Sequence, residues 1–323
     1  MASMKYFYEL TVSSSPHAHG NLTTQKIMRD VLIALAPALA GSVYFFGPRA
    51  LLVTAVSAAA CVFFEWLYRK LLHLDSTVYD LSAVVTGVLL AFVCPVTIPL
   101  WCLIIGDFFA IIVVKQLFGG IGKNFMNPAL AARAFMFSWP VIMSSGFQNA
   151  QWVDAVTEAT PLASMHQGML PADAPLALFL GNVGGCIGET SALLLLIGGV
   201  YLLLRRIISL RIPATYLGTV ALIAFVFPMG HDRFLWTALQ LCSGGVMLGA
   251  FFMATDYVTS PVTKWGQVLF GIGCGMITMV IRYFGGYNEG VSYAILIMNT
   301  CVVLLDKVGR PRKYGTSKKE AKV

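Results

Sequence analysis

Four groups of residues could carry chemistry in this chain. Residues 119–135 read GGIGKNFMNPALAARAF, with Asn124 and Asn127 set among glycines and Pro128 in a natural first helical position. In an apolar medium such irregular backbone persists only when buried in protein or lining a cavity. The stretch is therefore a tight turn between two helices or a ligand site, and it lacks the Lys-Ser/Thr ending of a P-loop. Residues 249–263 read GAFFMATDYVTSPVT, where Asp256 stands with Thr255, Thr259 and Ser260. Those oxygens suit a cation or a flavin hydroxyl, or else the turn that closes a helix. Asp107 and Arg133 are charges within apolar runs. A charge at that depth marks a functional site by default, so both are ion-path candidates, and the competing account makes them a buried structural pair. The fourth group is Asp154-Ala155-Val156-Thr157-Glu158-Ala159-Thr160-Pro161-Leu162. By its residues alone it is a polar loop with helix N-caps available at Asp154 and Thr157.

The chain that must position these groups has 323 residues, 58% hydrophobic and 11% charged, and a mean hydropathy of +0.77. Soluble domains carry about 25% charged residues, so a water-soluble globule is excluded and a lipid bilayer is the solvent. Period-2 alternation, the mark of a membrane barrel, is missing. The net charge of +7 does not point to nucleic acid, because Lys307, Arg310, Arg312, Lys313, Lys318, Lys319 and Lys322 crowd the C-terminal tail against Glu320 alone. Such a tail is the expected cytoplasmic anchor. The seven cysteines stand singly, without C-x-x-C spacing, and His17 and His19 lack a nearby third ligand, so no metal site is expected. The first thirty residues have no apolar signal-peptide core.

Apolar runs between Pro, Gly and charge clusters predict an all-α, polytopic membrane protein with ten transmembrane helices. They are Val31–Phe46, Leu51–Tyr68, Leu81–Val93, Leu100–Phe118, Pro128–Met143, Thr190–Leu204, Ala214–Phe227, Phe234–Ala254, Trp265–Tyr283 and Val291–Leu305. The glycine-rich stretch Leu176–Ile187 reads as a half-helix or as the start of the sixth span. Residues 1–30 form an N-terminal segment, 31–306 the membrane domain and 307–323 the basic tail. Lys and Arg in the short loops, Lys115 and Lys123 among them, fall mainly on one side of such a layout. Both termini are then cytoplasmic, and the loop 144–173, without Lys or Arg, is outside. At an offset of 166 residues, Pro95-Val96-Thr97 matches Pro261-Val262-Thr263 and Phe118-Gly119-Gly120 matches Phe284-Gly285-Gly286. Five spans separate the copies, so the second is inverted, an arrangement that transporters use.

DAVTEAT resembles the flavinylation sequence, Asp-x-x-Ser/Thr-x-Ala-Thr, of the flavoprotein membrane subunits of two related respiratory complexes. These are the Rnf complex, an ion-translocating ferredoxin:NAD oxidoreductase, and the Na⁺-pumping NADH:quinone reductase. GGIGKNFMNPA, GCIGETSALLLL around Glu189, GAFFMATDYVTSP and Ser15-Pro16-His17 ahead of Ile27-Met28-Arg29 also resemble that family, and the length favours its Rnf branch, the RnfD type. The resemblance implies FMN joined to Thr160 by a flavin transferase, with Asp154 and Thr157 as recognition residues. It implies a second, noncovalent flavin, riboflavin, between two inverted repeats similar to urea transporters. It also implies a bacterial or archaeal cell membrane as the setting, membrane subunits A, E and G as neighbours, and subunits B and C for ferredoxin and NAD. This chain itself has neither ferredoxin-type cysteine clusters nor a GxGxxG dinucleotide motif. The alternative is a urea-transporter-like channel without redox activity, and DAVTEAT on an outside loop separates the two.

Overall fold

The computed structural model describes residues 23–139, 161–170, 175–181, 183–189, 191–229, 232–286 and 289–309. All regular elements among them are helices. In the first half, α1 (Thr24–Phe46) and α2 (Pro48–Leu71) meet at Gly47, with Pro48 at the first position of α2. A 3₁₀ turn (Val78–Asp80) leads into the short α3 (Ser82–Phe92). Next, α4 (Leu100–Phe108) continues as a π-helical stretch, Phe109–Gln116, and α5 (Pro128–Met136) follows the asparagine-rich turn. Two short helices, α6 (Pro161–His166) and α7 (Pro175–Leu180), precede the second half. That half contains α8 (Ala192–Leu204), α9 (Arg211–Val226), α10 (Arg233–Cys242) and α11 (Val246–Leu248), which runs on as a π-helical stretch, Gly249–Met253. Then α12 (Lys264–Phe284) and α13 (Val291–Val308) complete it.

The outer surface is apolar. Leu204, Phe234, Phe284 and Val303 are exposed, as a bilayer allows and water does not. The protein is thus a multi-pass helical membrane protein, and its apolar helices differ in length. Among the described residues four helices, α1, α2, α12 and α13, are long and apolar enough to cross alone. The eighth apolar run is broken: α10 and the α11 segment meet at 65°. Helix α3 has 11 residues, a length of about 16 Å against a hydrocarbon layer of about 30 Å. Hydropathy sees the apolar run and not where its hydrogen bonds stop. The glycine-rich stretch after residue 174 is helical only from Pro175 to Leu180.

Helices matched by the 166-residue offset pack against each other in opposite directions. Asp30 of α1 pairs with Arg205, just past α8 (3.1 Å), and Ala34 faces Gly198 farther along. Likewise Asn127 at the start of α5 lies by Asn299 of α13, while Arg133 near its end reaches Ser292 (3.0 Å). Antiparallel contact between equivalent helices is what an inverted repeat requires.

Close approach holds the first half together. A Cβ at Gly87 would lie 2.7 Å from the Ala58 Cα and 2.8 Å from the Ser57 carbonyl oxygen, both backbone atoms. Gly87→Ala therefore forces α2 and α3 apart and should cost about 1–3 kcal/mol. Gly218→Ala in α9, where a Cβ meets nothing within 4 Å, should leave stability equal or slightly higher. Thermal unfolding of the two variants in detergent checks the contrast.

Candidate functional site

Two polar regions lie within the helical layer, joined by α5. The first surrounds the break between α10 and α11. Arg282 of α12 donates to the Gln240 carbonyl (2.7 Å), its side-chain oxygen (2.8 Å) and the Ser243 carbonyl (2.9 Å). The two carbonyls are acceptors that the end of α10 leaves open. Past the break, Glu289 accepts from the Gly245 N–H (2.9 Å). A cation thus closes one helix end and an anion opens the next, as their dipoles favour. Gly244 has φ +65°, and a Cβ at Gly245 would lie 2.7 Å from Glu189 Oε1, so the break needs both glycines.

Glu289 also pairs with Arg133, whose guanidinium reaches Glu189 (3.2 Å) and the Ser292 hydroxyl (3.0 Å). Glu189 is carried there by two backbone bonds, Ile187 N–H to the Cys94 carbonyl (3.1 Å) and Gly188 N–H to the Phe92 carbonyl (2.8 Å). Arg133, Glu189 and Arg282 are all buried. One charged cluster therefore ties α5, the 186–189 segment, the α10–α11 break, the end of α12 and the start of α13. The short helix α6 docks on it as well: His166 Nδ1 bonds the Arg282 carbonyl (2.7 Å), and Leu162 packs beside Gly244.

The second region is a small, half-open cavity of about 90 Å³. Its wall includes Ser82, Thr86, Lys115, Asn124, Asn127, Thr255 and Asp256, with Phe251, Phe252 and Tyr257. Four residues singled out in the sequence thus meet in one place. Asn127 caps α5, accepting from Ala129 (3.1 Å) and Leu130 (3.3 Å), and donates across to the Met253 carbonyl (3.4 Å). Asn124 donates to the Met126 carbonyl (3.1 Å). Asp256 accepts from the Thr259 hydroxyl (3.1 Å) and the Thr255 hydroxyl donates to the Phe251 carbonyl (2.6 Å). These stretches are therefore caps and turns, and they also line a cavity. Among the described residues no cluster has metal-ligand composition.

Asp107 and Arg133 do not pair, which corrects that expectation. Arg133 is taken by two glutamates on other segments. Asp107, fully buried, lies against the Ser57 hydroxyl (2.6 Å) and the Cys61 thiol (3.2 Å), while its Oδ2 has no partner. Ser57 is also 2.9 Å from the Gly87 carbonyl and owns one hydrogen. Both contacts are satisfied together when Asp107 carries the proton and donates it to Ser57. Lys115 is not a loop anchor either. It is buried and paired with Glu65 (2.8 Å). Glu65 and Glu289 were not legible as site residues, although Ser57, Cys61 and Glu65 recur every four residues opposite Asp107, Ile111 and Lys115, the spacing of two facing helix stripes. Thr160, Asp154 and Thr157 lie outside the described residues.

These features define a class: a helical membrane protein of two interlocked halves, with a charged core and a polar cavity. The chain belongs to the NQR2, RnfD, RnfE family, whose model matches residues 11–315. It is 52% identical to the D subunit of the Na⁺-translocating ferredoxin:NAD⁺ oxidoreductase complex of Acetobacterium woodii, over 97% of this chain and 98% of that one. It is 41% identical to the D subunit of the proton-translocating ferredoxin:NAD⁺ oxidoreductase complex of Clostridium ljungdahlii, over 95% and 96%. The D subunit of an ion-translocating oxidoreductase complex of Stutzerimonas stutzeri is 39% identical, over 91% and 92%.

Arg133→Met should leave two buried carboxylates without their cation and destabilise the protein by about 3–5 kcal/mol. Adding Glu189→Gln and Glu289→Gln removes the uncompensated charge and should recover most of that loss. Folded yield and unfolding temperature of the single and triple variants check this.

Proposed function

We propose that the chain is the D-type membrane subunit of an ion-translocating ferredoxin:NAD⁺ oxidoreductase, inactive alone and one carrier in the electron path of the assembled complex. The near full-length likeness to two such subunits carries this reading. In it, FMN is covalently bound to Thr160, with Asp154 and Thr157 read by the flavin transferase. The supporting observation is local: α6 begins at the residue after Thr160 and is fastened to the charged cluster through His166 and Leu162. A carrier attached there has a fixed base.

The cavity is the place for the second, noncovalent flavin. Phe251, Phe252 and Tyr257 offer ring faces, and Asn124, Thr255 and Asp256 offer polar edges. Flavins supply reversible one- and two-electron chemistry when bound. The chain's residues orient them, exclude water and hold protons. Asn127 in the cavity wall and Arg133 in the charged cluster stand six residues apart on one short helix, about 9 Å along its axis. On this reading the two flavin sites share one rigid element. Asp107, a buried acid with an unpartnered oxygen, is the candidate for ion or proton movement, whereas Arg133 fastens structure. The full layout is ten membrane-crossing segments in two inverted repeats resembling urea transporters, with cytoplasmic termini and the loop around Thr160 outside. The antiparallel pairing of equivalent helices supports it, with half-length helices counting as segments. The other membrane subunits, A, E and G, and the ferredoxin- and NAD-reacting subunits, B and C, complete the complex.

Thr160→Ala should abolish ultraviolet fluorescence of the denatured chain in a gel when an active flavin transferase is present, while Thr157→Ala, which alters a recognition residue, lowers the yield of label without moving it from Thr160. Retention of the label in Thr160→Ala would overturn the attachment site.

A further inference from the structure

The cavity wall contains one charge whose bonds within the protein are incomplete. Lys115 is 3% exposed and lines the cavity from the π-helical end of the α4 segment, a geometry concentrated at functional sites. It donates to Glu65 Oε2 (2.8 Å) and the Ser82 hydroxyl (2.7 Å), and the other Glu65 oxygen accepts from Thr77 (2.6 Å). An ammonium group has three hydrogens. Two are engaged by Glu65 and Ser82, leaving one on a residue that lines the cavity.

The pair is not part of the framework that the two halves share. At the 166-residue offset, Glu65 corresponds to His231, Ser82 to Leu248 and Lys115 to Ile281. A buried ion pair is weak evidence of stability, since packed apolar residues usually serve as well. A pair found in one half only, at the wall of a cavity, calls for another role. The charge balance limits the occupant. Among the described residues, Glu65 offsets Lys115 and the other ionisable group on the wall is Asp256. These residues leave no surplus positive charge for a phosphate and suit an uncharged ring system rich in acceptors.

We propose that Lys115 is a ligand-holding residue of the cavity, its remaining N–H bonding an acceptor of an uncharged heteroaromatic redox ligand, with Glu65 and Ser82 fixing the ammonium in place. This rests on reading the cavity as the noncovalent flavin site.

The test uses full-length protein in nanodiscs, made without flavin transferase so that no covalent flavin interferes. Riboflavin is titrated and followed by fluorescence quenching. Wild type binds saturably, and FMN binds more weakly. Lys115→Met combined with Glu65→Leu keeps the unfolding temperature, because the pair is removed as a unit, but weakens riboflavin about tenfold or more, the loss of one charged hydrogen bond. Lys115→Arg, which keeps the charge, stays within about threefold of wild type. Ser82→Ala keeps the ion pair and loosens its aim, weakening riboflavin severalfold, and it decides the matter should the double variant not fold. Unchanged affinity in a folded double variant, or in Ser82→Ala, overturns the role of Lys115 while leaving the cavity reading intact. No saturable binding by wild type overturns the cavity reading and this inference together.

Discussion

The helix that stops at Ser243 and restarts at Val246 sets the terms for the rest of the molecule. Inside a bilayer, open backbone carbonyls and amides must find partners within the protein. Arg282 and Glu289 are those partners, one on each side of the break. They bring charge into an apolar layer, which is tolerable only when the charge is paired and hydrogen-bonded. Arg133 and Glu189 extend the pairing to four residues with equal numbers of each sign. Each of these residues comes from a different segment, so the electrostatic solution to one broken helix also fastens both halves.

Helix α5 transmits that constraint. Its cap, Asn127, reaches the Met253 carbonyl in the second half, and one and a half turns later Arg133 enters the cluster. The helix has nine residues, too few to be stable by itself. It is held by what it touches at each end, including the stacked rings of Phe109 and Phe135, 4.3 Å between centroids. A cavity at one end and a docked loop helix at the other follow from this placement.

How far the sequence was legible depended on whether a feature was local. Helical membrane architecture followed from composition, and the offset of 166 residues marked which helices of the two halves are equivalent. Asn124, Asn127, Thr255 and Asp256 were visible as polar interruptions, and they share one cavity. Partner choice was not visible. Arg133 finds Glu189 and Glu289, 56 and 156 positions away, whereas pairing by sequence proximity pointed to Asp107. Lys115 looked like a loop charge because it ends an apolar run, yet the π-helical stretch turns it inward against Glu65. The break at 243–245 was hidden because Cys242, Val246 and their neighbours keep the run apolar through it.

In the proposed function the charged core supports two flavins, one fixed outside the cavity and one within it. The direct measurement is the number of flavins per chain in full-length protein made with its flavin transferase, separated by acid precipitation into covalent and released fractions. Wild type should yield one of each. Ile121→Trp, which places a large ring into the cavity from a half-buried turn position, should yield the covalent flavin alone. A wild type without covalent flavin, or an Ile121→Trp variant that still releases a full equivalent, would contradict the claim.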